Sequence, residues 1–373
     1  MKSLLFVIGT RPEAIKLAPL ILLFSKSEKY QVKICVTSQH RILLDQVLTF
    51  FSIKPDYDLN LMKPDQSLSQ LTSEILTGME PVLKEVNPDL LFVQGDTTSA
   101  FVAALAGFYK KIKIAHIEAG LRTYHKYSPF PEEMNRILTS KLCDYHFVPT
   151  KRAMDNLLSE GIRENCYLVG NTITDALQLG LSIVKENEQV YKEYFSGIEF
   201  SKKIILVTCH RREIFGEPFK EICKALSILA NQNDDVQFVY PVHLNPAINL
   251  PAHSYLNHKN IVLLEPLSYP YLIWLMHKSY LVMTDSGGIQ EEAPSLGIPV
   301  LVLREVTERV EGIEAGTAKL VGINAESIVR ETSKLLNDMA VHKSMAKAVN
   351  PYGNATTSQK IMDIVDRIGE KES

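Results

Sequence analysis

The sequence predicts an α/β protein made of two doubly wound domains facing a cleft. Short unbroken apolar runs alternate with amphipathic segments along the whole chain, and at 373 residues it is longer than one core ordinarily fills. Unbroken apolar runs are what strands buried on both faces look like, and helices between them make the crossovers of a parallel sheet.

In the first half the strand candidates are residues 4–9, 32–37, 90–94, 112–117, 146–148 and 167–169. Between them lie helical patterns such as AIKLAPLILLFSKS, HRILLDQVLTFF, SLSQLTSEILTGMEPVLKEV and SAFVAALAGFYKK. The second half repeats the alternation, with strand candidates at 204–208, 236–240, 261–264, 280–284, 300–303 and 318–321. The densest charge between the halves is KENEQVYKEYFSGIEFSKK, residues 185–203. The boundary is expected between 170 and 200. Residues 1–170 form the first domain and 171–373 the second, with the last helix a candidate to pack back on the first.

Composition is that of ordinary globular material, with 46% apolar and 22% charged residues. A formal charge of −3 gives no support for a nucleic-acid or anionic-membrane surface. The opening MKSLLFVIGTRPEAIK reads as a first buried strand rather than a signal peptide, and no apolar stretch approaches bilayer length. Cys35, Cys143, Cys166, Cys209 and Cys223 show no CxxC pair, so they read as reduced thiols of a cytosolic protein.

Chemistry is expected where strands run out. Asp96 and Glu118 each end an apolar run, in LLFVQGD and KIAHIEAG, and Glu132 follows in PFPEEMNR. Open α/β sheets bind ligands at that carboxyl edge, and converging carboxylates there can move protons. The bland role for Asp96 is a helix N-cap. The first strand ends in GTRPEA instead of GxGxxG, which argues against a dinucleotide site and sets Arg11 beside a helix start, where an anion would sit. Lys16, farther along that helix, reads as solvated or ion-paired.

In the second half, TDSGGIQEEAPSLG leads from a strand through Ser286, Gly287 and Gly288 into a helix expected near Ile289. Glycines there admit a pyrophosphate close to the backbone, and Glu291 or Glu292 could accept from ribose hydroxyls. VTCHRRE places His210, then Arg211 and Arg212, at another strand end suited to negative charge. Cys209 is disfavoured as a nucleophile because strand alternation turns it away from His210. No HxH or HExxH spacing supports a metal site.

The ordered set GTRPEAIKLAP, SQHRxxLDQVL, QGDTTS, HIEAGLRT, SPFPEExNR, GNTxxDAL, HRRE, PVHLNP, DSGGIQEEAPSLG and TERxEGIxAGT resembles the non-hydrolysing UDP-N-acetylglucosamine 2-epimerases from residue 9 to about residue 359. That resemblance implies two Rossmann-like domains, as in the two-domain nucleotide-sugar glycosyltransferase (GT-B) fold, in a cytosolic homodimer. It implies interconversion of UDP-GlcNAc and UDP-ManNAc by anti elimination of UDP and re-addition to 2-acetamidoglucal, with neither NAD nor a metal. Asp96, Glu118 and Glu132 match the proton-handling acids and His210 a catalytic, UDP-contacting histidine. Arg11, Ser286, Gly287, Gly288, Glu292 and Arg309 match positions that hold UDP. Gln39, His40, Gln66, Arg211 and His243 match segments around a second, activating UDP-GlcNAc. The chain departs from the family pattern at Ser38, Asp65, Ile214 and Val310, none of them a proposed catalytic side chain. The competing readings are an epimerase or hydrolysing epimerase for another UDP-2-acetamido sugar, and a silent UDP-sugar-binding protein.

Overall fold

The computed structural model describes residues 1–37, 41–61, 63 and 66–371. The chain divides into two compact units, one formed by Met1–Leu179 and the stretch from Tyr352 onward, the other by Gly180–Pro351.

The first unit holds strands β1 (Lys2–Ile8), β2 (Tyr30–Val36), β3 (Tyr57–Asp58), β4 (Leu90–Gln94), β5 (Lys113–Ile117), β6 (Tyr145–Val148) and β7 (Cys166–Leu168). All pair in parallel, in the order β3-β2-β1-β4-β5-β6-β7. The winding direction reverses between β1 and β4, which opens a crevice at the carboxyl ends of those two strands. Every residue of β4, LLFVQ, is buried, as its unbroken apolar run requires. Phe6 of β1 and Phe92 of β4 stack 4.5 Å apart, and Phe24 packs beside both. Each such fully buried ring stabilises the unit by roughly 1.5–3 kcal/mol. Helix Leu68–Val86 is started by a Ser67/Gln70 capping box and stopped by Asn87 in the left-handed region.

Helix Thr357–Lys371 belongs to this first unit and packs on helix Arg11–Ser25. Its amino end is held by Asp175, whose carboxylate accepts from the Thr357 and Ser358 amides at 3.3 and 2.8 Å. Farther along, Asp366 pairs with Lys29 at 2.6 Å.

The second unit holds β8 (Lys203–Thr208), β9 (Val236–Pro241), β10 (Ile261–Leu264), β11 (Leu281–Thr284), β12 (Val300–Val302) and β13 (Ala318–Leu320). These too are parallel, ordered β10-β9-β8-β11-β12-β13, with the reversal between β8 and β11. The charged stretch before β8 contains helix Glu188–Tyr194, which seats Tyr191 against Tyr271 and Trp274.

Every strand expected from the sequence is present, with ends shifted by at most two residues; the addition is the two-residue edge strand β3. Among the described residues, no helix is long and apolar enough to cross a membrane.

Candidate active site

In the first unit the carboxyl ends of β4 and β5 lie side by side, so the residues after them share one edge. Gly95, with φ of 71°, donates its amide to the Ile117 carbonyl at 3.0 Å. The Glu118 carboxylate lies 3.9 Å from where a Cβ on Gly95 would stand. Asp96 and Glu118 are therefore neighbours at the carboxyl edge of the sheet, Asp96 beyond a strand of the winding reversal and Glu118 beyond the next strand over, where a ligand is expected.

Asp96 is not the N-cap of the following helix, Thr98–Tyr109. Thr97 is, accepting from the Ala100 amide at 3.1 Å. The Asp96 carboxylate instead takes Arg136, at 2.9 Å from Nε and 2.7 Å from Nη2, and its carbonyl accepts from Asn135 Nδ2 at 2.9 Å. Asn135 and Arg136 come from helix Glu132–Leu142, one turn beyond Glu132, so that helix end is fixed against Asp96. Glu132 is half-buried, and its side chain makes no hydrogen bond or ion pair among the described residues. Glu133 is fully committed: it accepts from the Thr123 and Tyr124 amides and from Arg136 Nη1 at 3.0 Å. Burial alone would raise its carboxyl, but these donors hold it below the ordinary value.

Glu118 has a left-handed backbone, φ 65°, and a buried carboxylate. Lys16 Nζ reaches both its oxygens, at 2.6 and 2.7 Å, while Asn171 Nδ2 donates to one at 3.1 Å and Gln94 Nε2 to the other. Of the two expectations for Lys16, ion pairing holds and solvation does not: the side chain is buried. Beside this group Glu13 is wholly buried, accepting from the Thr97 hydroxyl at 2.8 Å and the Gly9 amide at 3.1 Å. Burial raises its carboxyl to about 7. Arg11 is the first residue of its helix, half-buried, with no ion pair among the described residues.

In the second unit the ends of β8 and β11 meet through Asp285, which is completely buried. One carboxylate oxygen accepts from the His210 and Arg211 amides, both at 2.7 Å, and the other lies 3.1 Å from His210 Nδ1. Burial alone would raise this carboxyl; His210 and the two amides outweigh it and hold it below the ordinary range. The His210 ring is exposed and stacks on His243 at 6.2 Å. Asp285 thus sets a carboxylate oxygen within ion-pair reach of Nδ1, though without hydrogen-bond geometry in this state, and leaves Nε2 outward, the side from which a carboxylate-backed histidine acts.

The helix after Asp285 runs Gly287–Glu292, two residues ahead of the expected start. Gly287 lies against Arg309, and an added Cβ would stand in ordinary contact, 3.6 Å from its guanidinium carbon. Arg309 Nε donates to Glu291 at 2.6 Å, and Glu292 is buried alongside. Ser286, Gly287, Gly288, Glu292 and Arg309 are thus gathered beyond β11. Cys209 faces the core, where burial pushes its thiol well above the ordinary value, which removes it as a nucleophile. Among the described residues no three His, Cys, Asp or Glu side chains group as a metal site.

Of the second-ligand candidates, Gln66 donates to Glu74 at 2.7 Å, Arg211 lies 3.9 Å from Glu308, and His243 Nδ1 accepts from the Asn245 amide at 3.1 Å. Gln39 and His40, with the departures Ser38 and Asp65, lie outside the described residues.

The family model described as UDP-N-acetylglucosamine 2-epimerase matches residues 24–366. The chain belongs to the UDP-N-acetylglucosamine 2-epimerase family. Family members include the UDP-N-acetylglucosamine 2-epimerase of Campylobacter jejuni, 49% identical over 381 residues and covering all of both chains. That of Salmonella typhimurium is 50% identical over 365 residues, 96% of this chain and 97% of its own. The solved UDP-GlcNAc 2-epimerase of Neisseria meningitidis, bound to UDP-GlcNAc, superposes with a TM-score of 0.91 at 47% identity, covering 98% of this chain and all of the other. The two-domain Rossmann-like α/β class read from the sequence is the class of this epimerase family.

Sequence reasoning passed over Asp285, Gln94, Asn171 and Arg136 as holders of the candidate residues, and saw that Lys16 could be ion-paired without naming Glu118 as its partner. Asp285 carried the missed signal, an acid ending the strand TDS just as Asp96 ends QGD.

Proposed function

We propose that the chain interconverts UDP-N-acetylglucosamine and UDP-N-acetylmannosamine by reversible epimerisation at C2. The observation that carries this reading is the pairing of Asp96 and Glu118 at adjacent strand ends, each gripped by its own set of donors, in a chain of this family.

A C2 proton on a sugar is not acidic, so UDP begins to leave first. As the C1–O bond breaks with its electron pair going to UDP, positive charge at C1 weakens C2–H. A carboxylate of the set Asp96, Glu118 and Glu132 then takes that proton and 2-acetamidoglucal forms. Return of a proton to the opposite face of C2, with UDP rejoining C1, gives the epimer. Electrons balance without an oxidant, so the reaction calls for no cofactor. His210, held through Nδ1 by Asp285, can donate from Nε2 to the departing phosphate. Interactions that strengthen as charge develops there accelerate the step more than uniform binding does. Arg11, Ser286, Gly287, Gly288, Glu292 and Arg309 hold UDP in this reading, and Gln39, His40, Gln66, Arg211 and His243 receive a second UDP-GlcNAc as activator. The set of five unpaired cysteines supports a cytoplasmic location, and the working form is a homodimer.

Proton NMR of the purified protein with UDP-GlcNAc in deuterated water tests the proposal. Expected is a new UDP-ManNAc signal with deuterium entering C2 of the whole pool. No exchange and no new sugar nucleotide, in protein that binds UDP, overturns it; free ManNAc accumulating in step with UDP replaces it with hydrolysis.

A further inference from the structure

We propose that His116 is a positioning residue for Asp96, acting through a hydrogen bond from its Nε2–H to the Gly95 carbonyl. The inference rests on the reading of Asp96 as a proton-handling carboxylate. His116 is the fourth residue of β5, buried, and in register with Val93 of β4. Its Nε2 lies 2.7 Å from the Gly95 oxygen, and a carbonyl only accepts, so Nε2 carries the proton. Its Nδ1 is buried with no hydrogen-bond partner among the described residues, as is Nδ1 of His146, its cross-strand neighbour on β6. Desolvation lowers both imidazoles to about 4, so each ring stays uncharged at neutral pH.

The single bond of the His116 ring goes to the peptide that leads into Asp96. Gly95 is left-handed, and the direction in which Asp96 leaves the sheet depends on how that peptide is turned. The Gly95 amide, on the peptide before it, is fixed by the Ile117 carbonyl, and the Gly95 carbonyl, on the peptide leading into Asp96, by His116. Arg136 and Asn135 then hold Asp96 itself. A residue serving only to fill this site would be apolar, because burying an unsatisfied ring nitrogen costs stability. The donor is what the imidazole adds.

The test compares His116→Gln, which can carry an amide N–H to the Nε2 position, with His116→Phe, which fills the space without a donor. Misplacing a reacting group by about 1 Å costs on the order of 100-fold, so the Phe variant should lose about that much kcat while the Gln variant stays within about fivefold of the parent. The Kd for UDP should be unchanged in both. A Phe variant that folds and turns over normally overturns the proposal, and so does an equal loss in both variants. Should the Phe variant fail to fold, nitrogen-15 NMR of histidine-labelled parent protein decides, with the His116 signal assigned by its loss in the Gln variant. A proton on Nδ1 instead of Nε2 removes the donor and the proposal with it. Asp96→Asn runs alongside: normal turnover there refutes the reading of Asp96, whereas a dead Asn variant beside an active Phe variant refutes only the role of His116.

Discussion

Replacing Asp285 with Asn changes one oxygen to an amide in a fully buried group that accepts two backbone amides and lies 3.1 Å from His210 Nδ1. The two backbone amides of His210 and Arg211 converge on a single oxygen, so the Asn carbonyl turns to meet them and its NH2 faces Nδ1. A donor then opposes a donor, and an imidazole protonated on both nitrogens is no longer accommodated. What is lost is the pairing of a charged carboxylate with Nδ1, which when closed to a hydrogen bond in the reacting complex is worth about 1.5–3 kcal/mol. If the bond acts while phosphate departs, kcat falls roughly 10- to 150-fold, since each 1.36 kcal/mol is tenfold. UDP affinity should change far less, because Ser286, Gly288 and Arg309 are untouched. The assay is initial-rate conversion of UDP-GlcNAc with UDP binding measured by calorimetry on the same protein. A kcat within about threefold of the parent would show that Asp285 only closes the loop between β8 and β11.

Three further outcomes follow from buried groups of the first unit. His116 and His146 titrate near 4 when folded against an ordinary 6.5, so stability is full above pH 6.5 and falls towards pH 4. Each shift corresponds to about 3 kcal/mol, while Glu13, raised to about 7, recovers about as much over nearly the same range. The net loss is about 3 kcal/mol, visible as a falling Tm; Glu13→Gln should steepen the fall, and a flat profile in both proteins refutes this accounting. Gly120→Ala places a Cβ 2.2 Å from the Ala153 carbonyl oxygen at a φ of 92°. Strain and overlap together should cost about 2–6 kcal/mol by urea denaturation, and a cost below 1 would mean the backbone shifts freely. Lys16→Met strands the buried Glu118 carboxylate and should destabilise by about 3–5 kcal/mol, with unchanged stability the result that rules the ion pair out as a support.

The fold was legible because parallel strands buried on both faces write themselves as apolar runs, as in LLFVQ and IILVT. Strand β3 was not, since two residues beside Pro55 carry no period. Asp96, Glu118 and His210 were found because each follows directly on a run that the eye can see. Their holders were hidden for a different reason. Lys16 is 102 residues from Glu118, Gln94 is 24 and Asn171 is 53, and nothing local in a sequence records such a meeting. Arg136 lies in EEMNR, where a helical surface charge is the ordinary interpretation. The N-cap reading of Asp96 failed by one residue, because the helix begins at Thr98, so Thr97 caps it, and the Asp96 carboxylate is held by Arg136.

The second unit is spliced into the first, whose last helix lies some 170 residues downstream of its other strands and helices. A ribosome therefore delivers the second unit whole before it delivers the helix that packs on Arg11–Ser25. Until Asp175 and Asp366 receive Thr357–Lys371, the first sheet exposes the flank of its earliest helix to whatever else is in solution. The first unit is thus finished last, and a nascent chain halted anywhere before Tyr352 carries a finished second unit at most, never a covered first one.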